Sequence, residues 1–251
     1  MQSSITAASP VSVAMATFNG ERYVEAQLRS ILEELQPHDE IVVVDDASTD
    51  GTVARIQALG DARVRLLRQA HNQGVRASFD RALRACRHPI VFLSDQDDVW
   101  LPGKRSALVA ELTAGAVLAL SDARVIDAEG RVVEASFMAR RGGFKGSALA
   151  TLVKNRYLGC TMAMRRELLD EVLPIPPTVP MHDMWIGLLG TLRGRVAYVD
   201  RPLIHYRRHS ANVSPERRAG VARMMAWRWR LASLALGRKL RGPRPPALEA
   251  Q

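Results

Sequence analysis

Four short apolar runs, each trailed by a segment of helical periodicity, fill the first hundred residues and restrict the fold more than any other feature of the chain. They are Val11 to Ala16, Glu40 to Val44, Val64 to Leu67 and Ile90 to Leu93, all too short for helices and rich in β-branched residues. Between them, Val24, Leu28, Ile31, Leu32 and Leu35 recur at helical spacing, and Val75, Phe79, Ala82, Leu83 and Cys86 repeat it. Ser48 is placed to cap a further helix from Thr49 to about Leu59. Strands and helices that alternate in this way pack as an α/β fold, a doubly wound and mostly parallel sheet with flanking helices.

After Trp100 the pattern loosens. Lys104 to Leu112 reads as a helix, Val117 to Leu120 as a strand and Asp127 to Gly130 as a tight turn. Residues 136 to 146, with three glycines among Arg140, Arg141 and Lys145, read as a mobile basic loop. Helices are expected at Ser147 to Lys154, Arg165 to Val172 and Met181 to Leu192, then strand-like runs at Val196 to Val199 and Leu203 to Tyr206. At 251 residues and 47% hydrophobic content the chain can bury one substantial core. We expect one domain over residues 1–215 and a tail over 216–251. No segment approaches the roughly 18 apolar residues of a membrane span, and no secretory leader is evident. Cys86 and Cys160 stand far apart and in no metal-binding spacing, which fits a reducing compartment.

The charge is uneven. Residues 216 to 244 hold nine Arg or Lys against Glu216 alone, whereas residues 1 to 215 hold 26 basic and 24 acidic side chains. If residues 216 to 238 form a helix, Val221, Met225, Trp229, Ala232 and Leu236 make one apolar stripe opposite Arg223 and Arg230, interrupted by Arg228. Trp227 and Trp229 suit a lipid headgroup boundary, so an anionic membrane surface is the expected partner of this helical cationic tail. The alternative is a helix packed on the body with a wet cationic face. Nucleic acid is not expected, because no recognition motif accompanies the charge. Gly242 to Pro246 reads as a disordered end.

Open α/β sheets bind ligands beyond the carboxyl ends of their strands, and three loops there carry polar residues. Behind Ile90 to Leu93 comes Ser94-Asp95-Gln96-Asp97-Asp98-Val99-Trp100. Carboxylates so crowded repel one another unless a cation sits among them, and Mg²⁺ or Mn²⁺ suits such a site together with substrate phosphates. The other loops are Thr17-Phe18-Asn19-Gly20-Glu21 and Asp45-Asp46-Ala47-Ser48-Thr49-Asp50-Gly51. Singly they read as a turn and a helix cap. Jointly they favour a nucleotide pocket, with Asp46 accepting a pyrimidine N–H and Thr17 and Glu21 holding base or ribose hydroxyls.

The set Thr17-x-Asn19-x-Glu21, Val43-Val44-Asp45-Asp46-x-Ser48-x-Asp50-Gly51, Asn72-x-Gly74, Ser94-Asp95-x-Asp97-Asp98-x-Trp100, His182-Asp183-x-Trp185 and Tyr206-Arg207-x-His209 resembles the family 2 glycosyltransferases of the GT-A fold. The rhamnosyltransferase-type branch is the most similar. The resemblance spans about residues 10 to 215 and identifies the family more sharply than the sugar. It implies that Asp46 contacts the base, that Asp95 meets the ribose or metal, and that Asp97 binds a divalent cation, with Asp98 a second metal candidate. Thr17, Asn19, Glu21 and Arg76 fall on the nucleotide-sugar side, and Asp183 falls where a catalytic base is expected. Arg207 offers phosphate donors and His209 a metal nitrogen. Trp100, His182 and Trp185 are placed near the acceptor, core packing being the alternative for both indoles.

The implied activity is metal-dependent, inverting sugar transfer from a nucleoside diphosphate, with L-rhamnose the first choice, to a growing polysaccharide or lipid-linked glycan. The implied location is the inner face of the cytoplasmic membrane. A uridine diphosphate hexose or N-acetylhexosamine donor is the second choice. A non-catalytic cationic module is the rival from another class. An aspartate-based phosphatase lacks its lysine and threonine framework here, and a sugar nucleotidylyltransferase would need a glycine-rich basic loop after the first strand.

Overall fold

A computed structural model describes residues 5–179, 181–209 and 221–241, with backbone alone at 221–227 and 239–241. In chain order the elements are β1 (Val11–Thr17), α1 (Val24–Glu34), β2 (Glu40–Asp45), α2 (Thr52–Ala58), β3 (Val64–Arg68), α3 (Val75–Ala85), β4 (Ile90–Ser94), β5 (Val99–Trp100), α4 (Lys104–Thr113), β6 (Leu118–Ile126) and β7 (Val132–Glu134). They continue with α5 (Ala148–Val153), β8 (Met162–Arg165), α6 (Leu169–Val172), α7 (His182–Arg193), β9 (Val196–Arg207) and α8 (Val221–Arg241).

The strands form one sheet in the order β3-β2-β1-β4-β8-β6-β9-β5, with β7 paired to β6. β1 to β4 are parallel, so Thr17, Asp45 and Ser94 all finish at the same edge. β8 then runs antiparallel between β4 and β6, and β6 and β9 are parallel to each other. Alternation along the strands separates two apolar layers. Val11, Val13, Met15, Ile41, Val43, Ile90 and Phe92 face α1 and α4. Ala14, Val42, Val44, Val91 and Leu93 face α3 and α7 on the other side. At the amino ends of the strands the buried Asp39 takes two hydrogen bonds from the Arg105 guanidinium, at 2.7 and 3.1 Å, and a third from the Val11 amide at 2.8 Å.

Several expectations need correction. The segment expected to be a helix from Arg165 instead ends β8, and only Leu169–Val172 is α-helical. The two runs near 196–199 and 203–206 are one strand, β9, whose register against β6 shifts beside Asp200-Arg201-Pro202. Ser48 does not cap α2, because its hydroxyl accepts the Asn19 amide at 2.9 Å while Asp50 receives the Thr52 amide at 3.0 Å. The basic loop is pinned: the Arg141 guanidinium lies 4.1 Å over the Phe137 ring and donates to the Asn155 carbonyl.

The tail helix turns a different face to the body than its expected stripe. Leu231 and Ala235 are buried against the core, while Trp229 is 79% and Leu236 56% exposed. The side chains of Val221, Arg223, Met225 and Trp227 lie outside the described residues, as does the segment Gly242 to Pro246. No helix among the described residues is long and apolar enough to cross a membrane.

Candidate active site

A cleft of about 400 Å³ opens at the carboxyl edge of β1, β2 and β4. Its walls include Thr17, Asp46, Asn72, Gly74, Ser78, Asp95 and Asp97 on one side, and Leu158, Gly159, His182, Asp183 and Tyr206 on the other. Both walls follow from the sheet. Parallel strands bring the first set to one edge, and β8, being antiparallel, starts where they end and delivers Leu158 and Gly159 opposite.

Asp46 closes one end of the cleft. Its carboxylate accepts the Gln69 side-chain amide at 2.7 Å and the Gln73 and Gly74 backbone amides at 2.8 Å each. Gly74 supplies that amide from φ +85°, a conformation open to glycine. A carboxylate has about four acceptor positions, so one remains for a ligand N–H. Thr17 lines the cleft and its hydroxyl donates to Asp45 at 3.3 Å. Asn19 and Glu21 stand outside the cleft lining and brace the loop instead. Asn19 accepts the Thr49 amide and Glu21 the Gly51 amide, at 2.9 and 3.0 Å. Arg76 is turned away as well, donating to the Val179 carbonyl at 3.2 Å.

The aspartate loop splits into two tiers. Asp97 lies 2.7 Å from His209 Nε2, and that imidazole stacks on Tyr23 with ring centroids 5.2 Å apart. Deeper, acceptor atoms of Asp95 and Asp98 and the Cys160 thiol lie within 4.8 Å of one another. Asp98 receives the Arg207 amide at 2.9 Å through one oxygen, while its other, buried oxygen accepts no hydrogen bond. Burial and the neighbouring charges of Asp98, Asp97 and Asp183 raise Asp95 well above the usual carboxylate range. Burial, then Asp97, pushes Asp98 up to about 7. Asp97 is raised by burial against the opposing pull of His209. Lys104 lies beneath the cluster, fully buried, with its ammonium 2.5 Å from the Cys160 carbonyl and 4.1 Å over the Trp100 ring. Two carboxylates beside one thiol, with a buried Asp98 oxygen that accepts no hydrogen bond, offer hard oxygen donors of the kind a divalent cation such as Mg²⁺ or Mn²⁺ takes.

Arg207 does not line the cleft. Its side chain stitches loops together, donating to the carbonyls of Asp97, Asp127 and Ala128 and lying 4.7 Å over the Tyr23 ring. The two tryptophans expected near the acceptor are core residues. Trp185 is fully buried and donates to the Val172 carbonyl at 2.9 Å, and Trp100 packs on Phe92 at 5.3 Å. Neither offers a ring face to a sugar.

Asp183 opens α7 and reaches the cleft 7% exposed. Burial pushes its carboxyl up to about 6, against hydrogen bonds from the Met184 amide at 2.5 Å and the Asn155 side chain at 3.4 Å. Beside it, His182 stacks on Phe79 with centroids 4.0 Å apart, and neither ring nitrogen has a hydrogen-bond partner. Burial holds that imidazole down to about 4, hence neutral at pH 7. Sequence reasoning missed Gly159, Cys160, Asn155 and Lys104. Only Lys104, close behind the acidic loop, stood near a recognised motif.

A mixed α/β sheet with flanking helices and acidic loops gathered at its carboxyl edge defines a protein of the GT-A class. The chain belongs to glycosyl transferase family 2, whose family model matches residues 12–173. It is 28% identical over 214 residues to a glycosyltransferase of Nostoc sp. designated alr2836, covering 80% of this chain and 66% of that one. It is 25% identical to the dTDP-rhamnosyl transferase RfbG of Shigella flexneri, covering 79% and 72%. Among solved structures it resembles S. aureus TarS in complex with UDP-GlcNAc, with a TM-score of 0.64 at 20% identity over 94% of this chain and 68% of that one. The mannosyltransferase PcManGT of Pyrobaculum calidifontis, in complex with GDP-Man and Mn²⁺, gives 0.63 at 20% identity over 95% and 66%. This chain thus spans about two thirds of the Nostoc protein and of both solved chains.

Proposed function

We propose that the protein transfers a sugar, with inversion, from a nucleoside diphosphate donor to a hydroxyl of a growing or lipid-linked glycan. One observation carries this reading: Asp46, Asp95, Asp97 and Asp183 converge on a single cleft although they lie up to 137 positions apart in the chain. Asp46 receives the base N–H, and Thr17 and Asp95 lie where the ribose follows. Asp97 and His209, with Asp95 or Asp98, would hold a divalent cation. The chemistry such an ion would supply there is positive charge against the diphosphate leaving group.

Asp183 accepts the proton of the attacking hydroxyl. A base raised to about 6 is ionised at neutral pH yet still basic enough to take up a proton in the transition state. His182, neutral beside it, is available to hydrogen-bond a sugar or acceptor hydroxyl without adding positive charge. The donor sugar is taken to be rhamnose, in keeping with the name of RfbG, with uridine diphosphate hexoses as the second choice. The basic tail holds the enzyme at the inner face of the cytoplasmic membrane, where a lipid-linked acceptor resides. Calorimetric titration of sugar nucleotides with and without Mn²⁺, repeated on Asp97→Ala, tests the reading. Metal-dependent binding of one donor, lost in the variant, is the expected result. Equal binding without metal, or none, overturns it.

A further inference from the structure

The sequence contains two long stretches with no acidic residue. Residues 135 to 166 hold seven Arg or Lys, and residues 217 to 248 hold nine. Part of each is brought together, because α5 and α8 pack on one another and Arg228 donates to the Val153 carbonyl at 2.5 Å. At that corner the surface is apolar as well as cationic. Leu149 and Val153, four residues apart on one face of α5, are 74% and 60% exposed, and Trp229 beside Arg228 is 79% exposed. Three bare apolar side chains set in acid-free chain are costly in water unless something covers them.

We infer that the α5–α8 corner is a second membrane contact, in which Leu149, Val153 and Trp229 enter the headgroup boundary of an anionic bilayer while basic residues of the two elements, Lys154, Arg228 and Arg230 among them, meet its phosphates. This extends the tail-borne association proposed above and rests on that reading. Charge complementarity selects anionic lipid, and the aliphatic and indole side chains favour a bilayer over nucleic acid, whose backbone offers them nothing to enter. The placement also has a catalytic logic. Asn155, two residues past α5, donates to Asp183, and Gly159 forms the cleft wall, so the segment that leaves this corner runs directly into the cleft.

The test uses the full chain and vesicles of phosphatidylcholine with or without 30% phosphatidylglycerol. Val153→Cys accepts a thiol-reactive nitrobenzoxadiazole label selectively, because Cys86 and Cys160 are both buried. Its emission should rise on anionic vesicles and stay unchanged on neutral ones. Leu149→Glu and Val153→Glu, at exposed positions that spare the core, should each weaken vesicle partition about tenfold with the tail intact. A label that still reports water on bound vesicles, or unchanged partition in both glutamate variants, overturns the inference. So does a tighter response to double-stranded DNA than to anionic vesicles. Mn²⁺-dependent binding of sugar nucleotides, measured on the same variants, separates the two readings. If it persists while the vesicle results fail, only the membrane contact falls; if it is absent from the parent protein, the functional reading falls.

Discussion

At Asp183 a single pKa shift links turnover to stability. Because burial raises the carboxyl to about 6, kcat should climb with pH through about 6 and level off above, as measured in a donor-saturated pH profile. Asp183→Asn should lower kcat by two to four orders of magnitude and leave donor affinity in place. The sign for folding is opposite. The folded state holds that proton more tightly than the unfolded chain, so the associated stability is complete below about pH 4 and is lost as pH rises through about 6. Asp183→Asn removes that loss, which is on the order of 3 kcal/mol. The variant should therefore melt higher than the parent at pH 8 and show no such gain at pH 4. His182 presents a similar contrast. Its two unpaired, buried nitrogens cost stability, so His182→Phe should raise Tm, and on the proposed role at the cleft it should lower turnover.

Among the elements, α7 shows how close packing holds the cleft wall formed by Gly159, His182 and Asp183. A methyl group added at Gly187 would fall 2.3 Å from the Tyr157 ring, and one at Gly190 would fall 2.9 Å from Leu118. Gly187→Ala should thus cost about 1–3 kcal/mol in denaturant unfolding and, by displacing the segment before Gly159, raise KM for acceptor more than for donor. Which elements were legible follows from the same packing. β1, β2 and β4 are buried on both faces, and continuous apolar runs such as Ile41 to Val44 announce them. β8 offers only Met162-Ala163-Met164 before Arg165, a run too short and too weakly β-forming to separate from the helix behind it. β9 was read as two pieces because Asp200-Arg201-Pro202 breaks its alternation. The aspartate loops were readable because carboxylates in parallel-strand loops share an edge. The burial of Trp100 and Trp185 was not, since an indole near a motif looks alike in a core or on a wall, and Cys160 meets Asp98 through a tertiary contact that leaves no local signal.

Across the whole molecule, stability and function sit at opposite edges of the sheet. Asp39 and Arg105 form a buried pair at the amino ends of the strands, where neither touches the cleft. Arg105→Ala strands a buried carboxylate and should cost about 3–5 kcal/mol by urea denaturation, with sugar-nucleotide affinity unchanged under native conditions. The functional edge is itself built from two halves of unlike origin. One half comes from strands that finish at the cleft, whereas the opposite half includes Leu158 and Gly159, which lead into a strand that begins there, β8, after an excursion of 27 residues from β7, and is completed by His182 and Asp183 of α7 and Tyr206 of β9. Insertions or grafts in that excursion need not re-thread any ladder already laid down by β1 to β4. Such an arrangement leaves that far wall free to change length or composition while the earlier scaffold keeps its shape.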